Sequence, residues 1–281
     1  MISKEAVWLI TGSSRGLGRA IAEKVLTAGH CAVLTARNID QLKDLAAKHG
    51  DAVLLTPLDV TKQDQIDAAY KAAIARFGRV DVLVNNAGYG YLGAIEEGED
   101  AEMRAVFETD LFAPVNLIKT VLPGMRERRQ GHIVNVSSIG GHVTYPGVGY
   151  YHMVKFGLEA MSETLAKEVV GLGIGVTVVA PGAFRTDFRG PDSMKFSQIV
   201  IDDYKDTAGK SREGTAAGHR KQVGDPARGA EAIIKAVEAE HPPVHLLIGG
   251  DALDQLRKKL DEIRAETDAW EEVTRSTDFR E

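Results

Sequence analysis

A short apolar run, Ala6–Thr11, breaks directly into a glycine loop, Thr11-Gly12-Ser13-Ser14-Arg15-Gly16-Leu17-Gly18, and the loop into a helical pattern over 16–28. A glycine at the end of a strand lets the backbone turn sharply. Glycines at the start of the next helix let a ligand and the strand approach it closely. The first turn of such a helix carries N–H groups with no partner inside the helix, and these suit an anion such as a dinucleotide pyrophosphate. The loop alone is weak evidence, because its spacing is G-x-x-x-G-x-G rather than the general G-x-G-x-x-G. Its place between a first strand and a first helix strengthens it.

The rest of the chain repeats that alternation. The runs Ala6–Thr11, Cys31–Ala36, Ala52–Pro57, Val80–Asn85, His132–Ser137 and Val176–Ala180 are short and rich in Val, Ile and Leu. Several end in Gly, Pro, Asn or Asp, and Val244–Ile248 is a seventh candidate. Continuous apolar runs of this length read as strands buried on both faces. Helical patterns lie between them, near 38–49, 62–76, 100–128, 150–171, 226–239 and 250–265. The expectation is an α/β fold: one doubly wound parallel sheet of about seven strands with helices on both faces. No charged linker, internal repeat or low-complexity segment divides the chain, so residues 1–281 read as one domain.

Two segments stand outside the alternation. The stretch 184–223 is poorly patterned and follows the sixth strand, at the carboxyl edge where α/β proteins bind ligands, so it reads as a substrate-loop insertion. The segment 250–281 reads as a C-terminal helical extension, with Leu253, Leu256, Leu260 and Ile263 on one stripe, then Trp270 and Val273. That stripe is expected to pack on its own domain, with a subunit contact as the alternative.

Composition narrows the function classes. Apolar residues make up 44% and charged residues 26%, as in ordinary globular proteins, and the net charge of −6 gives no footprint for a nucleic acid. No apolar run reaches the ~18 residues needed to span a bilayer. The start, Met1-Ile2-Ser3-Lys4-Glu5, has no signal-peptide layout, and the cytoplasm is the default compartment. The single Cys31 rules out an internal disulfide framework and reads as a small buried hydrophobe. No linear spacing of His, Cys, Asp and Glu suggests a metal site.

The end of the second strand bears on the choice of dinucleotide. A carboxylate there would bind the ribose 2′-hydroxyl of NAD(H). This chain has Ala36-Arg37-Asn38, and Arg15 in the glycine loop is placed to face the same region. Guanidinium groups suit a phosphate, so NADP(H) is the expected carrier and NAD(H) the alternative.

Tyr151 and Lys155, at i and i+4 near the start of a helical stretch, share one face. A nearby ammonium stabilises phenolate and is expected to bring the phenol toward neutral acid/base work. Ser138, at a strand end, can donate a hydrogen bond to a substrate oxygen as charge develops there. A Tyr/Lys pair at this spacing is more often an exposed helix pair; its neighbours make it specific.

Taken in order, these pieces resemble the short-chain dehydrogenase/reductase family along roughly Val7–Pro226: the Thr11–Gly18 loop, Asp59-Val60, Asn85-Asn86-Ala87-Gly88, Ser138, Tyr151 with Lys155, and Pro181-Gly182 followed by Thr186. The resemblance implies a Rossmann-like domain that binds NAD(P)(H), commonly in a homodimer or homotetramer. It implies a general acid/base at Tyr151, tuned by Lys155, which would also hold the nicotinamide ribose, and a substrate-orienting Ser138. Gly12, Ser14, Arg15, Gly16, Leu17, Gly18 and Arg37 would hold the phosphates. Asp59 and Val60 would flank adenine, Asn86, Ala87 and Gly88 would line the ribose and pyrophosphate path, and Pro181, Gly182 and Thr186 would hold the nicotinamide. The family usually carries an asparagine where this chain has Asp110. On the stripe of Met103, Phe107 and Pro114, Asp110 is expected to face inward, to need a partner, and to join the catalytic set by holding water or neutralising Lys155.

Tyr89, Tyr91, Gly140-Gly141-His142-Val143, Tyr145, Phe184 and Phe188 are expected to line a largely apolar pocket for a medium-sized ketone, aldehyde or secondary alcohol. The run Ser137-Ser138-Ile139-Gly140-Gly141 is similar to the hydroxysteroid/retinol-like branch of the family. The leading reading is thus an NADP(H)-dependent oxidoreductase. The alternative is a catalytically weak nucleotide-binding regulator, and an assembly role for the C-terminal helices is compatible with either.

Overall fold

The computed structural model describes residues 5–279; the first four and the last two residues lie outside them. Among the described residues nine strands and ten α-helices follow in order: β1 Val7–Ile10, α1 Gly16–Thr27, β2 Cys31–Ala36, α2 Lys43–His49, β3 Val53–Pro57, α3 Gln63–Phe77, β4 Val82–Asn85, β5 Gly90–Leu92, α4 Asp100–Phe107, α5 Ala113–Arg128, β6 Gly131–Val136, α6 Gly149–Val169, β7 Ile174–Pro181, β8 Met194–Phe196, α7 Lys210–Ala217, α8 Pro226–Glu238, β9 His245–Ile248, α9 Gly250–Ala269 and α10 Glu271–Arg275. Seven strands form one parallel sheet in the order β3-β2-β1-β4-β6-β7-β9. The sequence reading of a doubly wound, Rossmann-like sheet holds, with strand ends displaced by one or two residues.

β1 shows why both faces must be covered. Successive strand side chains point to opposite sides. Trp8 and Ile10 accordingly enter a core with Ile21, Val25, Ile233 and Val237, beneath α1 and α8. Val7 and Leu9 enter the opposite core with Ile66, Leu117, Val121 and Leu165, beneath α3, α5 and α6. Helix α8 starts where the sequence says it should: Asp225 accepts from the Ala227 N–H at 2.8 Å, and Pro226 fills the first turn.

The order of the sheet reverses between β1 and β4, which pair directly. A crevice opens at the carboxyl ends of strands at such a point, and the glycine loop and the Asn85–Gly88 segment flank it. Asn85 bridges inward instead: its amide donates to Asn135 Oδ1 at 2.8 Å, and Asn135 donates to Ser162 Oγ at 2.8 Å.

Four features depart from the sequence reading. β5 and β8 form a second, two-stranded parallel sheet that ties the 184–223 stretch to the segment after β4. Within the predicted helix over 100–128, residues Glu108–Phe112 form a π turn. The C-terminal stripe is covered only near its start, where Leu256 packs against Ile139, Val143 and Ala252. Beyond it Leu260, Ile263, Val273 and Trp270 are exposed, the last at 64%. Cys31 is half-buried rather than sealed, and burial raises its thiol pKa. Among the described residues no helix is long and apolar enough to cross a membrane.

Candidate active site

The crevice is a cleft of about 880 Å³ running from Arg37 and Asn38, past the glycine loop, to Ser138, Tyr151 and Lys155. It gathers Gly12, Ser14, Arg15, Gly16, Leu17, Asp59, Val60, Asn86, Ala87, Gly88, Pro181, Gly182 and Thr186 along its walls. Two candidates lie beneath those walls. Gly18 packs under the loop, where an added Cβ would sit 2.4 Å from the Gly12 carbonyl oxygen. Asp110 lies under Lys155.

Gly12 has φ +63°, a conformation that side chains disfavour. Asn86 locks the turn, its amide donating to the carbonyls of Thr11 at 2.9 Å and Gly12 at 3.2 Å. Thr11 Oγ1 receives the N–H groups of Asn86 and Ala87 at 2.9 and 3.0 Å. Helix α1 starts at Gly16 with no side-chain cap and no acid in its first turn. Its end therefore favours an anion. The glycine cradle and this uncapped helix end fit a dinucleotide pyrophosphate, and Arg37 is exposed at the cleft's far end.

Arg15 departs from expectation. Its guanidinium reaches Asp192, at 3.1 Å to the carboxylate and 3.0 Å to the carbonyl, and so joins the glycine loop to the 184–223 stretch. Asp59 turns its carboxylate to the N–H and hydroxyl of Thr61, at 3.0 and 2.8 Å. Burial works to raise its pKa, but these bonds, Lys62 and Arg37 together hold it low.

Tyr151 and Lys155 share a face of α6, with the ammonium 5.5 Å from the phenol ring centre. Lys155 is buried, donates to the Val136 carbonyl at 3.3 Å and pairs with Asp110 at 3.1 Å. The π turn carries Asp110 into this position, only 1% exposed, and the Tyr89 N–H donates to it at 3.1 Å. Gly88 makes the space, since a Cβ there would sit 2.7 Å from Asp110 Oδ2.

The electrostatics correct the simple picture of a phenol drawn down by its lysine. Burial raises the Tyr151 pKa; Lys155 and Ser138 pull it down and Asp110 pushes it up, and the outcome is a raised value. Burial works to lower the Lys155 pKa, but Asp110 and Tyr151 outweigh it and the ammonium is held. Burial raises the Asp110 pKa despite the pull of Lys155.

The pieces of this cleft match a family that can be recognised across the chain. Residues 6–195 match the family model described as short chain dehydrogenase. The chain belongs to the short-chain dehydrogenase family. It is an NAD(P)-dependent dehydrogenase/reductase. It is similar to the oxidoreductase BOA17 of Botryotinia fuckeliana (strain B05.10), with 38% identity covering 95% of this chain and 97% of the relative. A 3-ketodihydrosphingosine reductase of Bacteroides thetaiotaomicron is 36% identical, over 86% of this chain and 87% of that one. Among solved structures, a short-chain dehydrogenase from Streptomyces avermitilis superposes with a TM-score of 0.92 at 45% identity, covering 99% of this chain and 100% of its own.

Several side chains of this short-chain dehydrogenase escaped the sequence reading. His152 is buried, hydrogen-bonds the Gly140 carbonyl through Nδ1 at 2.8 Å, and accepts from the Tyr145 N–H at Nε2 at 2.9 Å. It thus braces the turn after Ser138, and burial lowers its pKa. Its position directly after Tyr151 was the available signal. Asn38, Gln41, Asp192, Met194 and Gln255 also reach the cleft. Conversely, Tyr91 is fully buried against Tyr150 and Val106. Neither Tyr91, Gly141, His142 nor Val143 lines the cleft, whereas Tyr89, Gly140, Tyr145, Phe184 and Phe188 do. His142 points away from it, toward Glu159, and a His–Glu–His cluster forms that linear spacing did not suggest.

Proposed function

We propose that this short-chain dehydrogenase is an NADP(H)-dependent oxidoreductase that interconverts a medium-sized, largely apolar ketone or aldehyde and its alcohol. The observation that carries the reading is the meeting of Ser138, Tyr151 and buried Lys155 in the same cleft as the uncapped start of α1. The dinucleotide, when bound, supplies or accepts the hydride. Gly12, Ser14, Gly16 and Leu17 hold its phosphates, and Arg37, which stands where an NAD-binding carboxylate would end the second strand, meets a 2′-phosphate. Asp59, Val60, Asn86, Ala87 and Gly88 line its adenosine and ribose path, and Pro181, Gly182 and Thr186 its nicotinamide end.

Tyr151 gives its proton to the carbonyl oxygen in reduction and takes it back in oxidation. Ser138 orients that oxygen, and its hydrogen bond favours the phenolate. Lys155 stabilises the phenolate and binds ribose hydroxyls. Asp110 touches neither cleft nor substrate; it is a positioning residue that fixes the ammonium. Tyr89, Leu92, Val148, Phe188 and Met194 supply apolar wall, and the 3-keto substrate in the name of the Bacteroides relative supports a ketone. The exposed apolar side chains of α9 and α10 support a homodimer or homotetramer.

The test is NADPH oxidation by the purified protein across a panel of ketones and aldehydes, with Tyr151→Phe beside it. Turnover should fall roughly 10²- to 10⁴-fold, with NADPH affinity unchanged. One observation favours a second reading, a weakly catalytic regulator: Asp110 neutralises the lysine that should activate the phenol. A Tyr151→Phe protein that keeps whatever slow turnover the native protein has would support that reading and end the first.

A further inference from the structure

His142, Glu159 and His245 meet outside the residues that line the cleft. His142 closes the Ile139–Gly141 turn that follows Ser138, Glu159 lies one helical turn beyond Lys155, and His245 opens the edge strand β9. Nε2 of His142 is 3.4 Å from Glu159 Oε1, and Nδ1 of His245 is 3.5 Å from Glu159 Oε2. One donor atom from each of the three lies within 4.8 Å of the others.

Glu159 is 4% exposed, yet neither of its oxygens accepts a hydrogen bond among the described residues, and His142 Nε2 is likewise unmatched. A buried carboxylate without donors is costly and demands a cation. An imidazolium would answer by closing to a charge-assisted bond of ~2.7–2.9 Å, shorter than either contact. Donors that share a tetrahedral zinc ion, each ~2.0–2.2 Å from the metal, stand ~3.3–3.6 Å apart. The observed 3.4 and 3.5 Å, each to a different oxygen of Glu159, leave room for an ion between the two imidazoles and the carboxylate.

The surroundings agree. The other ring nitrogen of His245, Nε2, faces Glu163 Oε1 at 3.5 Å. A carboxylate behind a ligating imidazole orients the ring and raises its basicity. His245 is exposed and gives the ion a path in. The turn after Ser138 is pressed onto the helix here: a Cβ on Gly141 would lie 2.9 Å from Glu159 Cγ and 3.1 Å from the Lys155 carbonyl oxygen.

We infer that His142, Glu159 and His245 form a binding site for one divalent transition-metal ion of the zinc type, outside the catalytic cleft, which fastens the Ser138 turn and α6 to the edge strand β9. Two imidazoles and a carboxylate favour zinc and its neighbours over calcium or magnesium. The ion is structural: it ties three elements that the chain brings together from distant positions, and it stabilises the folded state by mass action.

The experiment uses the full chain, freed of metal by chelation and of any affinity tag. Zinc chloride is titrated calorimetrically, thermal unfolding is measured with and without zinc, and cobalt(II) reports geometry through its visible bands. Expected are one ion per chain, a higher Tm and tetrahedral cobalt absorption. His245→Ala, at an exposed position that the fold tolerates, should abolish the Tm rise and the cobalt bands. Glu163→Gln should weaken zinc roughly 10- to 100-fold. No saturable binding up to about 100 μM zinc, an affinity too weak for a built site, overturns the inference. So does binding that survives His245→Ala unchanged, because the ion would then sit elsewhere.

Discussion

The Asp110 carboxylate and the Lys155 ammonium stand 3.1 Å apart, both nearly sealed from solvent, directly under the phenol that is to move the proton. Burial and Asp110 both push the Tyr151 pKa up, while Lys155 and Ser138 pull it down. Exchanging Asp110 for Asn removes one of the two upward influences and leaves the ammonium less neutralised. The Tyr151 pKa should then fall. Oxidation needs phenolate, so its acid limb should move to lower pH; reduction needs phenol, so its alkaline limb should move the same way. Profiles of kcat/KM in both directions check this, and limbs that stay in place or move to higher pH refute it.

Arg37 is the cation left facing the adenosine end of the cleft once Arg15 has taken Asp192. Bonds to charged groups are worth about 1.5–3 kcal/mol, roughly a ten- to hundredfold effect. Arg37→Ala should lower kcat/KM for NADPH by that factor and leave NADH nearly untouched. The Arg15–Asp192 pair is exposed and worth little, so a phosphate can displace it. Asp192→Asn should therefore sharpen the NADPH preference. Equal loss with both cofactors in Arg37→Ala would remove Arg37 from cofactor choice.

Much of this was legible beforehand. Strands buried on both faces read as apolar runs, and the inward turn of Asp110 followed from its helical stripe. What escaped was nonlocal. β5 and β8 have three residues each, too few to show a period, and each forms only against the other. A π turn changes the hydrogen-bond ladder without altering the residue pattern. Tyr91 and His142 sit beside site residues in the chain but point elsewhere, because adjacency does not set side-chain direction. Asp192 and Arg212 were visible only as polar residues; their targets, Arg15 and Glu97, lie across the fold.

Glu97 anchors the stretch that covers the cleft. Only 1% exposed, it accepts from the N–H groups of Ala94 and Ile201 at 2.8 and 2.9 Å and from Arg212 at 2.8 Å. Breaking a buried pair by removing one partner costs about 3–5 kcal/mol, and here the loss falls first on the segment around β8 and α7. Glu97→Ala should admit protease cleavage within 194–217 while the main sheet keeps its circular dichroism. Burial opposes ionisation of Glu97, but its bonds prevail and the pKa is lowered. That stabilisation is present above the ordinary carboxylate range and lost as pH falls through the lowered value, so acid should open the same segment. Cleavage sites unchanged in the variant would show that the anchor lies elsewhere.

His132 sets an acid limit for the sheet itself. Thr177 gives its hydroxyl proton to the Pro243 carbonyl at 2.7 Å and so accepts from His132 Nε2 at 2.9 Å. Nε2 therefore carries a proton. The other nitrogen is crowded by β7, where a Cβ on Gly175 would sit 2.4 Å away. Burial pushes the His132 pKa down to about 4 from 6.5. The unfolded chain then binds more protons than the folded one between those values, so stability falls as pH drops from 6.5 to 4. The loss is on the order of 3 kcal/mol. His132→Gln keeps a donor for Thr177 but cannot titrate. Urea unfolding of both proteins across this range should show the native chain's stability falling relative to the variant's by about that amount as the pH is lowered. A difference between the two that stays constant with pH would mean that His132 is not the group that titrates.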